Sequence, residues 1–334
     1  MIGVADVRDA RTGAPIVSLY GDRFEDLSPT PEHLSAIDLL LIDLSDVGTR
    51  YYTFIWTALL TVRAAIKAGV SVILLDRPNP ISGARRVVEG RSQQPGFTSF
   101  VGLEPVPIRH CLTIGELVAL FAKRDGIPLG DALSIVTVEG WERQTIAAHW
   151  DRPFVMTSPN MPTADTALVY PGGCLLEGTN LSEGRGTTRP FEIVGAPWID
   201  GHRLAQGLRA TGLLGFVARP VTFRPTFHKH AGQICGGVQI HATDIASFRP
   251  VATYVSLVAL ARRQNIERFG FRTEPYEYVD TIPAFDLLTG SDEARRAIEA
   301  GEEARTIAEF VSAADPTWPD QMAEATTALH EAAI

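Results

Sequence analysis

The residues best able to do chemistry stand together in one stretch, Glu177–Glu192, which reads Glu-Gly-Thr-Asn-Leu-Ser-Glu-Gly-Arg-Gly-Thr-Thr-Arg-Pro-Phe-Glu. It holds three carboxylates (Glu177, Glu183, Glu192), two guanidiniums (Arg185, Arg189) and one amide (Asn180). Arginine presents planar paired donors that match a carboxylate, and glutamate is the usual acid, base or nucleophile at a sugar acetal. Glycines at 178, 184 and 186 let a ligand approach the main chain closely. Leu181 and Phe191 are the only large apolar side chains, so polar contacts must order the stretch if it is ordered. The alternative is a solvated loop whose ion pairs cancel one another.

Other polar clusters follow predicted strands, where an α/β sheet collects ligands. Asp43–Thr53 gathers Asp46, Arg50 and two tyrosines at a strand-to-helix turn; capping by Asp46 or Thr49 accounts for one of them, not for the set. In Asp76-Arg77-Pro78-Asn79-Pro80, an ion pair of Asp76 with Arg77 or Arg50 is expected. Asn79, rigid between prolines, suits a sugar hydroxyl or acetamido group. Tyr20 ends a short strand and faces the same edge. Asn160 is held by prolines in Ser158-Pro159-Asn160-Met161-Pro162, at the expected junction of two domains. His228-Lys229-His230 sets two imidazoles on one side of an extended segment, with no Cys, Asp or Glu at matching spacing. Ligand hydrogen bonding is therefore expected there ahead of metal ligation.

Some motifs are missing. No GxGxxG follows a strand, the run Glu183–Thr187 lacks the lysine and spacing of a phosphate loop, and there is no GxSxG elbow. No cofactor is expected. What remains is a cleft rich in carboxylate and arginine, the chemistry of a glycosidase or of a protein that binds an anionic sugar.

The elements that must position these residues read as α/β. Pro15–Gly21 reads as a strand and Pro31–Ile37 as a helix. Asp38–Leu44 is a continuous apolar run, expected to be a strand buried on both faces. A helix over Phe54–Ala68 and a strand over Val70–Leu75 complete a βαβ crossover. Thr113–Lys123 carries a capping box from Thr113 to Glu116, which claims Glu116 for structure. Asp131–Gly140 supplies another strand, with Trp141 packed against it. A second domain, 161–334, opens with a helix near Thr166–Leu176 interrupted at Pro171-Gly172-Gly173. Strands at Ile193–Trp198, Phe216–Phe223 and Gly237–His241 follow, with helices at Asp200–Ala210 and Val251–Arg263. The tail from Asp292 reads as two or three short helices without chemistry.

At 334 residues the chain is long enough for two domains, 1–160 and 161–334, each with its own core. A hydrophobic fraction of 45% and a charged fraction of 21% are those of an ordinary globule. A net charge of -9 argues against nucleic acid as a partner. Cys111, Cys174 and Cys235 form no CxxC pair and are expected as buried free thiols. The apolar runs are too short to span a bilayer, and Met1–Asp6 shows no signal-peptide pattern.

Several of these segments occur together in a known family. Asp43–Tyr52, Leu75–Pro80, Val88-Glu89-Gly90, Phe100–Leu103, Ile108-Arg109-His110, Ser158–Pro162, Leu168–Arg189 and Thr226–Gly237 run in its order. From Thr12 onward the chain resembles the NamZ exo-β-N-acetylmuramidases. The resemblance implies a Rossmann-like N-terminal domain, a smaller α/β C-terminal domain and an active cleft between them. It also implies release of N-acetylmuramic acid from the non-reducing ends of peptidoglycan fragments, by proteins that are often exported. Arg185, Arg189 or Arg50 would suit the lactyl carboxylate, and Asn79, Asn160 and Asn180 the hydroxyls and acetamido group.

Catalysis is expected from Glu183 and Asp46, with Tyr20 orienting or donating a proton. Glu177, His228 and His230 join the expected binding set. The family pattern places a first strand and a Gly-Pro-Glu-His-Gly motif ahead of the segment matching Thr12–Gly21, and this chain starts after them. A misplaced start, or a shortened form without that glutamate and with an unpaired sheet edge, is the expectation. A muropeptide-binding protein without turnover is the alternative function, and a nucleotide-dependent enzyme a third.

Overall fold

The structure is a computed structural model and describes residues 7–21 and 23–334. The expectation drawn from Met1–Asp6 lies outside the described residues. Two short strands, β1 (Val7–Arg8) and β2 (Pro15–Ile16), pair antiparallel. The strand expected over Pro15–Gly21 thus stops after two residues. The chain beyond it delivers Tyr20, whose hydroxyl lies 2.9 Å from Thr57 Oγ1. The helix expected over Pro31–Ile37 is shorter, α1 (Pro31–Leu34), capped by the Thr30 side chain.

The first sheet has three parallel strands in the order β3 (Leu39–Ile42), β4 (Ser71–Leu75) and β5 (Leu133–Val136). Leu40 faces Val72, and Leu74 faces Ile135. Helices α2 (Phe54–Lys67) and α3 (Ile114–Arg124) make the crossovers, as the apolar periodicity requires. β3 departs from expectation. Leu39 is 51% and Leu41 58% exposed, so one face of this strand is open where burial of both was expected. An unbroken apolar run marks a strand but does not show which neighbour covers it.

α3 begins with the expected capping box between Thr113 and Glu116. Asp76 reinforces it, accepting from Thr113 Oγ1 at 2.8 Å and from Gly115 N at 2.7 Å. A Cβ on Gly115 would stand 2.6 Å from the Asp76 carboxyl carbon, so only glycine fits there. Asp76 is therefore a capping group and not the ion-pair partner of Arg77 or Arg50. Arg77 pairs instead with Asp43, Nε to Oδ1 at 2.9 Å.

The second sheet is antiparallel, ordered β6 (Ile193–Ala196), β8 (Cys235–Ala242), β7 (Phe216–Phe223). It packs with α4 (Ala164–Gly173), α5 (Gly201–Ala210) and α6 (Pro250–Gln264). The Asp200 side chain caps α5 at the amides of His202 and Arg203. α4 stays helical through Pro171, against the expected interruption, and leads into a 3-10 turn over Cys174–Gly178. The Pro171 carbonyl accepts a hydrogen bond from the Tyr51 hydroxyl, tying the two halves together.

Three helices follow: α7 (Ala284–Thr289), α8 (Glu293–Ala300) and α9 (Ala304–Ser312). The last, α10 (Trp318–Ala332), returns to the first sheet. Trp318, Met322, Ala325, Ala328 and Ala332 belong to the core that contains Val72, Leu74 and α3. Trp318 Nε1 donates to the His110 carbonyl at 2.8 Å, and Ile334 N to the Ile135 carbonyl at 3.0 Å. The expected division at residue 160 is thus crossed by α10. The other core joins the second sheet to Val47, Tyr51, Tyr52, Ile81 and Val101 of the first half. Cys111, Cys174 and Cys235 are free and buried. No helix among the described residues is long and apolar enough to cross a membrane.

Candidate active site

A cavity of about 600 Å³ lies between the halves, lined by Tyr20, Tyr52, Asn160, Glu177, Arg185 and Glu277 among others. One wall is the Glu177–Glu192 loop, which is ordered by polar contacts as its composition demands. Ser182 bridges to Gly195 of β6, and Thr226 N donates to the Gly186 carbonyl at 2.9 Å. Gly186 has φ +80°, and a Cβ there would come within 2.7 Å of Phe227 N, so the close approach excludes any side chain.

Arg185 is the centre of this wall. Its Nη2 donates to Glu177 Oε1 at 2.5 Å, its Nε lies 3.2 Å from Glu183 Oε1, and its guanidinium sits 5.3 Å from the Phe191 ring centroid. Glu183 is fully buried behind it, with His228 Nδ1 at 3.0 Å and Lys229 Nζ at 2.9 Å. Burial alone would raise the pKa of this carboxyl. The His228 hydrogen bond and the Lys229 charge outweigh it and hold Glu183 well below the usual range. Glu183 is thus an ionised anchor that fixes Arg185, Lys229 and His228, and it does not line the cavity. Glu177 does line it, held from the other side by the Tyr276 hydroxyl at 2.8 Å.

The remaining expected site residues divide sharply. Tyr20 and Asn160 reach the seam cavity. Asp46 lines a neighbouring cavity, its Oδ2 accepting from Gly48 N at 2.7 Å and lying 3.3 Å from His110 Nε2. Arg50 does not meet a ligand. It is fully buried and donates to the carbonyls of Arg91, Val106 and Leu288. Asn79 is also buried, spanning the Leu112 carbonyl and Ile81 N. Asn180 spans the Arg268 carbonyl and Gly270 N. His230 lies 2.8 Å from the Asn180 carbonyl and against the Trp198 ring. Arg189 lies 3.7 Å from Glu192 and outside the cavity lining.

Sequence reasoning missed Glu277. It stands in the seam cavity, and its Oε2 is buried with no hydrogen-bond partner among the described residues. Burial raises its pKa above the ordinary glutamate value, and the Glu177 charge adds to the effect while Arg185 opposes it. The backbone here is unusual. Tyr276 and Val279 exchange both main-chain hydrogen bonds, leaving Glu277 (φ +44°) and Tyr278 (φ +69°) at the tip of a two-residue turn. Left-handed φ at both central positions is the habit of Asn-Gly turns, so Glu-Tyr here carries strain. Phe191, His228 and His230 around the Glu183 anchor also have positive φ. The signal available in sequence was Glu274-Pro-Tyr-Glu-Tyr278, two acids and two tyrosines in five residues.

Over 299 residues the chain is 42% identical to the peptidoglycan beta-N-acetylmuramidase NamZ of Bacillus subtilis (strain 168), covering 90% of this chain and 69% of that protein. This chain belongs to the NamZ family. The model of the N-terminal part of exo-beta-N-acetylmuramidase NamZ matches residues 1–165, and that of the C-terminal part residues 168–325. Two solved structures of DUF1343 family proteins from Bacteroides fragilis are similar to it. One superposes with a TM-score of 0.84 at 27% identity, covering 96% of this chain and 81% of that one. The other gives 0.66 at 26%, covering 98% and 81%. The family read from the motifs and the α/β architecture are both confirmed.

Proposed function

We propose that this NamZ-family chain is a glycoside hydrolase that releases N-acetylmuramic acid from the non-reducing ends of peptidoglycan fragments. The observation that carries the reading is the pairing of unlike carboxyl groups across one cavity. Glu177 is ion-paired to Arg185 and hydrogen-bonded to Tyr276, whereas Glu277 is half-buried with an oxygen left over. Environments that push two carboxyls apart divide the acid and the base between them.

In this reading Glu277 carries the proton to the leaving glycosidic oxygen. Glu177, with the substrate's own acetamido group, faces the oxocarbenium-like centre. Arg185 grips the lactyl carboxylate through its planar donors, and its anchorage on Glu183 means that little freedom is lost on binding. Tyr20 and Asn160 contact the sugar from the first half. Incubation with a MurNAc-GlcNAc disaccharide should release free N-acetylmuramic acid, and Glu277→Gln should stop it. Saturable binding of the acidic sugar without any release would instead establish a non-catalytic binder.

A further inference from the structure

The chain over 270–280, between α6 and α7, crosses as a strap from the second half to the first. At its start Asn180 N donates to the Gly270 carbonyl and Arg272 N to the Gly178 carbonyl, both at 2.9 Å, which ties it to the Glu177 loop. At its tip Tyr278 meets the first half. Its ring stands edge-on to Phe24 and to Phe100, with centroids 6.2 Å apart in each pair, and its hydroxyl donates to the Gly21 carbonyl at 3.1 Å. Phe100 also faces the ring of Tyr20, which lines the seam cavity. One aromatic cluster thus joins the tip of the strap to the first-half wall of the site.

The tip needs such a hold. Left-handed φ at both Glu277 and Tyr278 is costly for residues with large side chains and persists only where the surroundings enforce it. Close packing does not enforce it on every side. Glu277 lines the seam cavity and also a smaller one of about 280 Å³, whose walls include Phe24, Leu103, Tyr278 and Val279. Atoms that face a void lose packing contacts, so the void leaves room for the turn to relax. Tyr276, bonded to Glu177, would be the pivot of that movement. Relaxation would carry Glu277 away from Glu177 and leave the Glu177–Arg185 pair in place. The edge contacts of Tyr278 and its hydrogen bond across the seam oppose it.

We propose that Tyr278 is a positioning residue, a latch across the seam that holds the strained turn in the setting where Glu277 reaches the seam cavity. Its effect on catalysis rests on the hydrolase reading above, with Glu277 as the acid. The latch itself needs no turnover, so the two can fail separately. Three variants of the full chain test it. Tyr278→Ala cuts the latch from the second half, and Phe24→Ala cuts it from the first at a residue already 38% exposed. Tyr278→Phe keeps the ring contacts. With the MurNAc-GlcNAc disaccharide, both alanine variants should lose at least about tenfold in kcat with KM within about twofold, because a small misplacement of a reacting group is costly. Tyr278→Phe should stay within about threefold of the parent, since the hydrogen bond it loses is an exposed one. Amide exchange followed by NMR should be at least about tenfold faster at Tyr276 and Val279 in both alanine variants, with β4 unchanged. Circular dichroism identifies a variant that fails to fold, and the alanine substitutions lie in separate halves, so either one can decide. Parent-like kcat in the folded alanine variants, unchanged exchange at the two amides, or a loss carried by KM would overturn the proposal. A parent that releases no N-acetylmuramic acid would overturn the hydrolase reading, and the exchange rates alone would then decide the latch.

Discussion

The Tyr276 hydroxyl donates to Glu177 Oε2 at 2.8 Å, which clamps the turn carrying Glu277 to the carboxylate it works beside. Arg185 holds the other oxygen of Glu177. One carboxyl of the site is thus fixed and charge-compensated, and its half-buried neighbour on the strained turn is left with a buried oxygen that has no hydrogen-bond partner among the described residues. That asymmetry separates a reactive pair from a structural ion-pair network.

Glu277→Gln keeps the shape of the side chain and removes its proton. Catalysis by a positioned acid contributes on the order of 10²–10⁴-fold, and kcat should fall by that amount. The raised pKa of Glu277 means that activity of the parent should decline as pH rises through that value, and the glutamine variant should lose this alkaline limb. Stability of the parent falls in the same direction. A carboxyl whose folded pKa is raised contributes stability below its unfolded pKa and loses it as pH rises. The inactive variant should therefore melt no lower than the parent at pH 8. A full-rate variant with an unchanged pH profile would remove Glu277 from the chemistry.

Glu183→Gln should act through position. It leaves Arg185, His228 and Lys229 without their shared anion, and breaking a buried pair from one side costs about 3–5 kcal/mol. The folded pKa of Glu183 is depressed, so its stabilisation is present above the unfolded value and is lost as pH falls through the folded one. Denaturant titrations should show the glutamine variant weaker at pH 7, with the gap closing in acid. KM for the acidic sugar should rise more than kcat falls. A drop in kcat alone at undiminished stability would make Glu183 a direct participant.

What the sequence disclosed and what it concealed follow from the range of the interactions. Local signals were legible: the Thr113–Glu116 capping box, the Asp200 cap, and a polar Glu177–Glu192 loop that had to be ordered by its own charges. Partners distant in the chain were not. Nothing near Asp76 announces that it caps α3, and nothing near Arg50 announces a carbonyl of Leu288 238 residues away. The alanine-rich tail reads only as short helices without chemistry, and its small residues give too little periodicity to show that Trp318 of α10 is wholly buried against the first core. Glu277 was hidden differently, since its turn breaks the local rule by which such turns are found.

Arg50→Met tests whether this arginine is structural. Burial brings its guanidinium down to about 10, and its donors serve three carbonyls from separate segments. Methionine fills the volume but leaves those carbonyls unpaired, at about 1–3 kcal/mol for each one that water does not reach. A loss of several kcal/mol in denaturant titration is expected, with KM of the folded fraction within about twofold of the parent. A stable variant with a greatly raised KM would return Arg50 to the binding site.

Glu89 joins the halves in a way that pH should expose. It is fully buried in the first half, and its Oε1 accepts from Ala252 N at 2.8 Å in the first turn of α6. Burial raises its pKa to about 7, against the pull of the Ala252 amide and of Arg109. Ionisation is thus disfavoured in the folded chain. The stability contributed by the neutral form is complete below about 4.5 and is lost as pH rises through about 7, a change on the order of 3 kcal/mol. Glutamine keeps the acceptor for Ala252 and cannot ionise. Chemical denaturation at pH 5 and pH 8 should find Glu89→Gln close to the parent at the lower pH and more stable at the higher. Parallel pH dependences in the two proteins would show that Glu89 is already charged in its buried site.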